Sequence, residues 1–256
     1  MARSKRNIAV SLLLVVILGV FAFAVPLPFT TITPGETTDA LGTDSAGVPV
    51  IRIDGATPRP TEGKLLVVTI RAVNPDEKVY LTDLFEAWWD SDEAAVPKSS
   101  VYPAGKSTRE ITEENTQAMV ESQDNASIAA LRHLNLDPNQ VKVQLNLANV
   151  GGPSAGLMFS LGIVDQLGDT NLTGGRIVAG TGTIDMDGKV GPVGGVEMKT
   201  KAAKRDGATV FLLPKDECGK AEKAAPGGLR LVPVDTLTGA IDALSALQSG
   251  GKVPSC

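Results

Sequence analysis

A serine set among small residues is the feature of this chain with the clearest chemical potential. Ser154 lies in the run Gly-Gly-Pro-Ser-Ala-Gly at 151–156. Gly152 and Ala155 leave its hydroxyl uncrowded, and Pro153 is favoured in a first helical turn, where its missing N–H is not needed. We therefore predict that a helix begins at Ser154. The free backbone N–H groups and the positive dipole end of that turn can stabilise an oxyanion, which favours a nucleophilic serine.

A nucleophilic serine needs a base, and histidine is the usual one. The single histidine, His133, lies on a helix predicted for 113–134, whose apolar face is formed by Ile128, Leu131 and Leu134. At about 100° per residue His133 points away from that face, so we expect a solvated surface residue. Lysine remains as the base, and it must be desolvated to become neutral near pH 7.

Basic residues lie close together on a helix predicted for 194–205, and one of them faces the core. They are Lys199, Lys201, Lys204 and Arg205. On a helical wheel Lys199 lies between Val196 and Ala203, whereas the other three share the opposite side. Periodicity alone therefore nominates Lys199 as a buried amine. The alternative is a lysine that extends from the helix edge into solvent.

The surrounding pattern predicts a mixed α/β fold that places Ser154 between a strand and a helix. Strict alternation at 141–147 predicts a half-buried strand, and the apolar run 157–164 predicts the helix after the serine. The β-branched run 64–71 predicts a buried strand, and Asp187-Gly188 predicts a hairpin turn. A helix is predicted for 80–90, where we expect Trp88 and Trp89 to pack in a core or an interface.

Three runs together resemble the Lon-type serine peptidase domain. They are Gly151–Gly156, Val178–Gly182 and Gly188–Pro214, within a resemblance that covers roughly residues 140–247. The resemblance implies a mixed α/β fold with a Ser–Lys dyad, in which Ser154 is the nucleophile and Lys199 the general base. It also implies that the Thr181 hydroxyl orients the lysine. Gly151 departs from the family pattern, which commonly has an acidic residue there.

The N-terminus predicts a membrane anchor. Ile8 to Val25 is a stretch of 18 residues in which Ser11 is the polar one, just enough for a membrane span. Basic residues precede it and no charge follows closely, so the N-terminus is expected in the cytoplasm and the rest outside the membrane. The alternative is a signal peptide cleaved after Ala22-Phe-Ala24.

The N-terminal part resembles the membrane-anchored, PDZ-containing Lon-like proteases of Gram-positive bacteria, particularly actinobacteria. The runs that carry this resemblance are Val25–Phe29, Val101–Gly105 and Glu121–Leu131. Those relatives carry a PDZ domain after the helix that ends here near Leu134, but residues 135–140 are too few for one. The chain therefore either belongs to a PDZ-less branch or has had the module deleted. We expect three parts: a cytoplasmic tip and anchor at 1–28, an extracytoplasmic region of a strand and helices at 29–138, and a Lon-type domain at 139–256.

Cysteine usage agrees with export. Cys218 and Cys256 are the two cysteines of the chain, and an even count in an oxidising compartment predicts a disulfide. The alternative is two unrelated thiols. A metal site is poorly supported by two cysteines and one histidine, and we expect neither a metal nor a cofactor.

Charge and loop patterns limit the remaining function classes. A net charge of −5, without a basic stripe, argues against nucleic acid. The run 182–189 has one residue too many between its glycines for a phosphate-binding loop, which predicts ATP-independent proteolysis. Two hypotheses follow: a membrane-anchored endopeptidase acting on unfolded protein segments, and a non-catalytic membrane-tethered binding module with the same fold. The resemblance also implies a homo-oligomer, because Lon-type domains commonly form rings.

Overall fold

The computed structural model describes residues 2–44, 46–103, 105–146 and 152–256, leaving aside the side chains of residues 2–6 and 8. The chain forms two compact units. Unit 1 consists of Met1–Thr33 and Ala72–Thr108, and unit 2 of Pro34–Arg71 and Arg109–Cys256. The predicted division at residues 28 and 138 stays a prediction.

Unit 1 contains one long helix and several shorter elements. They are helix α1 (Ala2–Ala24), the start of strand β1 (Phe29–Asp39), helix α2 (Leu81–Trp89), strand β4 (Ala94–Pro97) and helix α3 (Lys98–Val101). The start of β1 pairs antiparallel with β4. The helix predicted for 80–90 is confirmed. Of the two settings expected for its tryptophans, packing in a core is wrong, and packing in an interface stays a prediction. Trp88 and Trp89 are 78% and 86% exposed and stack on each other, with ring centroids 6.2 Å apart.

The predicted membrane span at 8–25 lies on α1. Among the helices in the described part of the chain, none is both long and apolar enough to cross a membrane. The prediction of a transmembrane helix is therefore not supported by the structure.

Unit 2 contains a mixed sheet with helices packed on it. The remaining strands are β2 (Ile51–Asp54), β3 (Lys64–Ala72), β5 (Lys142–Leu145), β6 (Ile177–Gly180), β7 (Thr183–Ile184), β8 (Val190–Gly191), β9 (Val210–Pro214) and β10 (Arg230–Val234). The sheet runs β10-β9-β6-β3-β1, and β3, β6, β9 and β10 pair in parallel. β2 pairs antiparallel with β5. The predicted mixed α/β fold class is confirmed for unit 2.

Three helices of unit 2 overlap the helices predicted at 113–134, 157–164 and 194–205. The helices of this unit are α4 (Thr108–His133), α5 (Gly156–Leu167), α6 (Val196–Arg205), α7 (Cys218–Ala224) and α8 (Leu237–Ser249), with a 3₁₀ turn at Lys215–Glu217. The helix predicted from 113 begins five residues earlier. The predicted hairpin at Asp187-Gly188 is confirmed, because β7 and β8 pair antiparallel around it and Gly188 has φ +80°.

Strand β3 separates two hydrophobic cores. Alternate side chains of a strand point to opposite faces of its sheet. Leu65 and Val67 accordingly join the larger core, whereas Leu66 and Val68 join a second core. Helix α5 lies in the larger core, and helices α6 and α7 contribute to the second. A strand buried on both faces explains the continuous apolar run in its sequence.

A disulfide joins the C-terminal residue to the start of α7. Cys218 and Cys256 are bonded to each other. Their Cα atoms are 5.3 Å apart, and the two residues are separated by 38 positions in the sequence. Cys256 packs against the second core. The bond therefore fixes the end of the chain beside α6 and α7.

Removing this disulfide is expected to lower the free energy of unfolding by about 3–4 kcal/mol, because an open loop of this length gains conformational entropy in the unfolded chain. The double variant Cys218→Ala/Cys256→Ala should melt about 10 °C below the parent in calorimetry. Reducing agent should lower the melting temperature of the parent and leave that of the double variant unchanged. Equal melting temperatures of oxidised parent and double variant would contradict this expectation.

Candidate active site

Ser154 lies in a turn that directly precedes helix α5. The prediction that the helix begins at Ser154 is wrong by two residues, and Pro153 lies outside the first helical turn. The physical reason is the Ser154 carbonyl, which accepts the N–H of Gly182 at 2.9 Å and the hydroxyl of Thr181 at 3.2 Å. This carbonyl is bound to the segment after β6 instead of to the next helical turn.

Helix α4 holds the same turn from another side. The N–H of Gly152 donates to the carbonyl of Asn115 at 3.2 Å, and the Ser122 hydroxyl donates to the carbonyl of Pro153 at 2.8 Å. Gly152 has φ +90°, a conformation that favours glycine. The sequence reasoning missed Ser122, although its position three after Met119 and four before Ala126, both buried, puts it on the inner face of α4.

Part of the predicted turn lies outside the described residues. Gly151 and Leu147 belong to the undescribed segment at 147–151. The strand predicted for 141–147 is described as far as Leu145, where its predicted alternation of exposed and half-buried residues holds. The departure at Gly151 therefore stays a sequence observation.

Lys199 lies on the inner face of α6, where the helical wheel puts it. It is 3% exposed, whereas Lys201 and Lys204 are half-buried and Arg205 is exposed. Burial disfavours an ammonium ion, and it lowers the pKa of Lys199 from 10.5 to about 8. The carboxylate of Glu217 acts in the opposite direction and raises this pKa. Near pH 8, Lys199 is therefore neutral in a substantial fraction of the molecules.

Thr181 links the lysine to the serine turn. Lys199 Nζ donates to Thr181 Oγ1 at 3.0 Å, and the same hydroxyl donates to the carbonyl of Ser154 at 3.2 Å. Thr181 is fully buried, so water does not compete for these contacts. Ser154 Oγ and Lys199 Nζ are not hydrogen-bonded to each other in this structure. The two side chains belong to one network whose middle member is the threonine.

Two backbone donors lie at the turn. Within the described part of the chain, the N–H groups of Ser154 and Ala155 donate to no backbone carbonyl, whereas those of Gly156 and Leu157 bond to Pro153 and Gly182. Free N–H groups beside a serine hydroxyl are the donors that stabilise the oxyanion of acyl transfer. The turn can therefore bind a carbonyl oxygen while the hydroxyl attacks its carbon.

His133 lies elsewhere in unit 2. It is half-buried, and its Nδ1 is 3.4 Å from Thr238 Oγ1. It lines a cleft of about 360 Å³ together with Arg132, Asp187 and residues 236–238, and that cleft contains neither Ser154 nor Lys199.

No group of three or more potential metal ligands occurs among the described side chains. The site therefore consists of Ser154, Thr181 and Lys199.

Comparison with known proteins agrees with this arrangement. Residues 101–244 match the Lon protease (S16) C-terminal proteolytic domain. The chain belongs to this family. The match covers more than half of the sequence and includes all three residues of the site. It places this Lon-family chain among the serine-type peptidases.

Several Lon proteases are similar to part of the chain. Lon protease 2 of Bacillus subtilis (strain 168) is 30% identical over 118 residues, which are 45% of this chain and 21% of that protein. The Lon protease of Chloroflexus aggregans is 35% identical over 88 residues, 33% of this chain and 10% of that protein. The Lon protease of Azospirillum brasilense is 37% identical over 89 residues, 34% and 11% respectively. The aligned parts cover about a fifth or less of each of these relatives.

Burial of Lys199 in this Lon-family domain is expected to oppose folding. Lys199→Met should raise the free energy of unfolding by about 2–3 kcal/mol at pH 7, because a pKa lowered from 10.5 to about 8 means that the native state binds the proton less tightly than the unfolded chain. The parent should therefore gain stability as pH rises from 8 to 10.5, and the difference between the two proteins should vanish there. Urea unfolding of both proteins at pH 7 and pH 10 measures this difference in the free energy of unfolding.

The matched control is Lys201→Met on the less buried side of α6, which should change stability equally at both pH values. A stabilisation by Lys199→Met that is as large at pH 10.5 as at pH 7 would show that it does not come from the buried ammonium.

Proposed function

We propose that this chain is a serine endopeptidase in which Ser154 is the nucleophile and Lys199 the general base. The observation that carries the proposal is the buried lysine, whose Nζ contacts Thr181 while Thr181 contacts the Ser154 backbone. A buried amine whose pKa lies near 8 can accept a proton at working pH, as a base requires. A lysine with a purely structural role has no need of this placement.

In the first half of the reaction, Ser154 Oγ attacks the carbonyl carbon of a peptide bond and neutral Lys199 takes the hydroxyl proton. The contact between Oγ and Nζ has to form at this point, and hydrogen bonds of this kind are often loose before substrate binds. Lys199 can keep its contact with Thr181 meanwhile, because an ammonium group has three donors. The negative oxygen of the tetrahedral intermediate accepts hydrogen bonds from the free N–H groups of Ser154 and Ala155.

In the second half, the intermediate collapses and the C–N bond breaks. The Lys199 ammonium gives its proton to the leaving amine, and the acyl group stays on Ser154 as an ester. Neutral Lys199 then takes a proton from water, which attacks the ester carbon, and the returned proton regenerates the serine hydroxyl. The attack by serine and the later attack by water each need Lys199 in its neutral form.

We propose further that the activity is independent of ATP and acts on unfolded or exposed protein segments. The sequence run that comes nearest to a phosphate-binding loop, at 182–189, is the β7–β8 hairpin. Its backbone N–H groups serve the hairpin: those of Asp187 and Lys189 bond to the Asp185 carboxylate, and that of Gly188 bonds to the Asp185 carbonyl. This supports hydrolysis without nucleotide, for which a disordered protein is the simplest substrate.

Casein hydrolysis by the purified protein, with and without ATP and Mg²⁺, tests the proposal. The rate is expected to rise with pH through about 8, as Lys199 loses its proton. Ser154→Ala and Lys199→Arg should each lower the rate by about 10²–10⁴-fold, because the first removes the nucleophile and a guanidinium cannot accept its proton. Lys201→Arg is the matched control and should retain the parent rate.

Two results would contradict the proposal. Hydrolysis that survives Ser154→Ala would place the reaction elsewhere. A folded protein that shows no Ser154-dependent hydrolysis of any unfolded substrate would favour the non-catalytic binding module.

We also propose that the protein acts outside the cytoplasm and is attached to a membrane through α1. A disulfide between Cys218 and Cys256 fits an oxidising compartment. The large apolar side chains of α1 between Val10 and Phe23 are mostly exposed, with exposed fractions from 51% to 67%. A contiguous apolar surface of this kind marks a surface that binds lipid or protein.

Fractionation of cells tests the attachment. The full chain is expected in the membrane pellet after a carbonate wash, whereas Leu14→Asp/Ile17→Asp should move it to the supernatant, because each charge opposes burial in lipid. Val120→Asp changes an exposed apolar residue of α4 and should leave the distribution unaltered. A parent protein found in the supernatant would rule out the attachment.

A further inference from the structure

Glu217 is a buried acidic residue without a role in the mechanism above. It ends the 3₁₀ turn Lys215–Glu217 and is 5% exposed. Acidic residues are rarely this buried unless they are paired. Here Glu217 Oε2 accepts a hydrogen bond from Lys220 Nζ at 2.9 Å, and the Lys220 side chain is 61% exposed. The ion pair therefore runs from the interior of unit 2 to its surface.

The position of Glu217 is set by elements that pack against the helix of the proposed base. The 3₁₀ turn follows β9 directly, and α7 begins at the next residue. Helix α7 packs on α6, and Ala221 from α7 shares the second core with Val196 and Ala203 from α6. The disulfide at Cys218 secures this corner to the C-terminus. Glu217 is thus held firmly beside α6.

The charge of Glu217 acts on Lys199. Opposite charges attract more strongly in the interior than in water, so a buried carboxylate favours the ammonium form of a nearby lysine. Within the described residues, the Glu217 carboxylate in the 3₁₀ turn is the charged group that raises the pKa of Lys199. Around the pair, Lys220 lies on α7, and Glu197 on α6 interacts electrostatically with Lys220. β9 contributes no charged residue.

We propose that Glu217 is a positioning residue for Lys199, and that its charge, partly balanced by Lys220, sets the pH range in which Lys199 works as a base. The inference rests on the proposed Ser–Lys mechanism. Burial alone would release the lysine proton at a lower pH, and Glu217 opposes this. Near neutral pH Glu217 therefore holds a larger fraction of Lys199 in the ammonium form, and Lys199 becomes a neutral base at a higher pH than burial alone would give.

The pH profile of kcat/KM distinguishes this role from a structural one. Glu217→Gln keeps the shape of the side chain and removes its charge, so the acid limb of the profile should move to lower pH. A movement of about half a unit raises kcat/KM about threefold on that limb. Lys220→Met should move the limb to higher pH, because it removes the cation that partly balances the charge of Glu217.

The matched control is Glu222→Gln, which removes an exposed carboxylate from α7, the helix that carries Lys220. It should leave the acid limb of the profile in place. A loss of stability without a change in the titration would lower the rate equally at every pH. Opposite movements of the limb in the Glu217 and Lys220 variants are therefore not expected from structural damage.

A direct titration keeps the test independent of turnover. In protein labelled with ¹³C-lysine, the Cε signal of Lys199 is the one that Lys199→Arg removes, and its midpoint should fall in Glu217→Gln. An unchanged midpoint overturns the role of Glu217, even where Ser154-dependent hydrolysis is normal. A lowered midpoint in a protein without such hydrolysis supports the role of Glu217 and contradicts the proposed function instead.

Discussion

The site depends on a single costly placement, an amine buried in an apolar layer. Lys199 is 3% exposed and lies between side chains of the second core. A charged group in such surroundings either finds a partner or loses its charge. Lys199 does part of each, since its Nζ bonds to a buried hydroxyl while its pKa falls to about 8. The apolar face of α6 is therefore what gives the side chain its chemistry.

Close packing of neighbouring elements explains why the residues around Ser154 are small. A Cβ on Gly156 would lie 2.8 Å from Ser122 Oγ and 2.9 Å from Ile184 Cγ2, and one on Gly182 would lie 2.9 Å from Val190 Cγ1. The turn is thus pressed between α4 and the β7–β8 hairpin. In contrast, a Cβ on Gly152 would meet nothing within 4 Å, so that glycine is required by its φ of +90°. Small residues here allow close packing as well as an uncrowded hydroxyl.

The sequence predicts the local elements of the site well, because each depends on a short apolar period. The burial of Lys199 followed from the spacing of Val196 and Ala203, and the hairpin followed from Asp187-Gly188. The start of α5 could not be predicted, because the Ser154 carbonyl is bound by Thr181 and Gly182, which are distant in sequence. Periodicity puts Ser122 on the inner face of α4, but it does not identify the carbonyl that Ser122 contacts. Glu217 lies in a short 3₁₀ turn that has no periodicity to read.

Function and stability oppose each other in this corner of unit 2, and the arrangement of covalent and ionic contacts follows from that. Burying Lys199 destabilises the fold by an amount comparable to what the loop closed by Cys218 and Cys256 contributes. The bond lies next to Glu217, where it limits the movement of the 3₁₀ turn against α6. A looser corner would admit water to Lys199 and return its pKa towards that of a solvated lysine. A disulfide at this place therefore offsets part of the destabilisation that the burial of Lys199 causes.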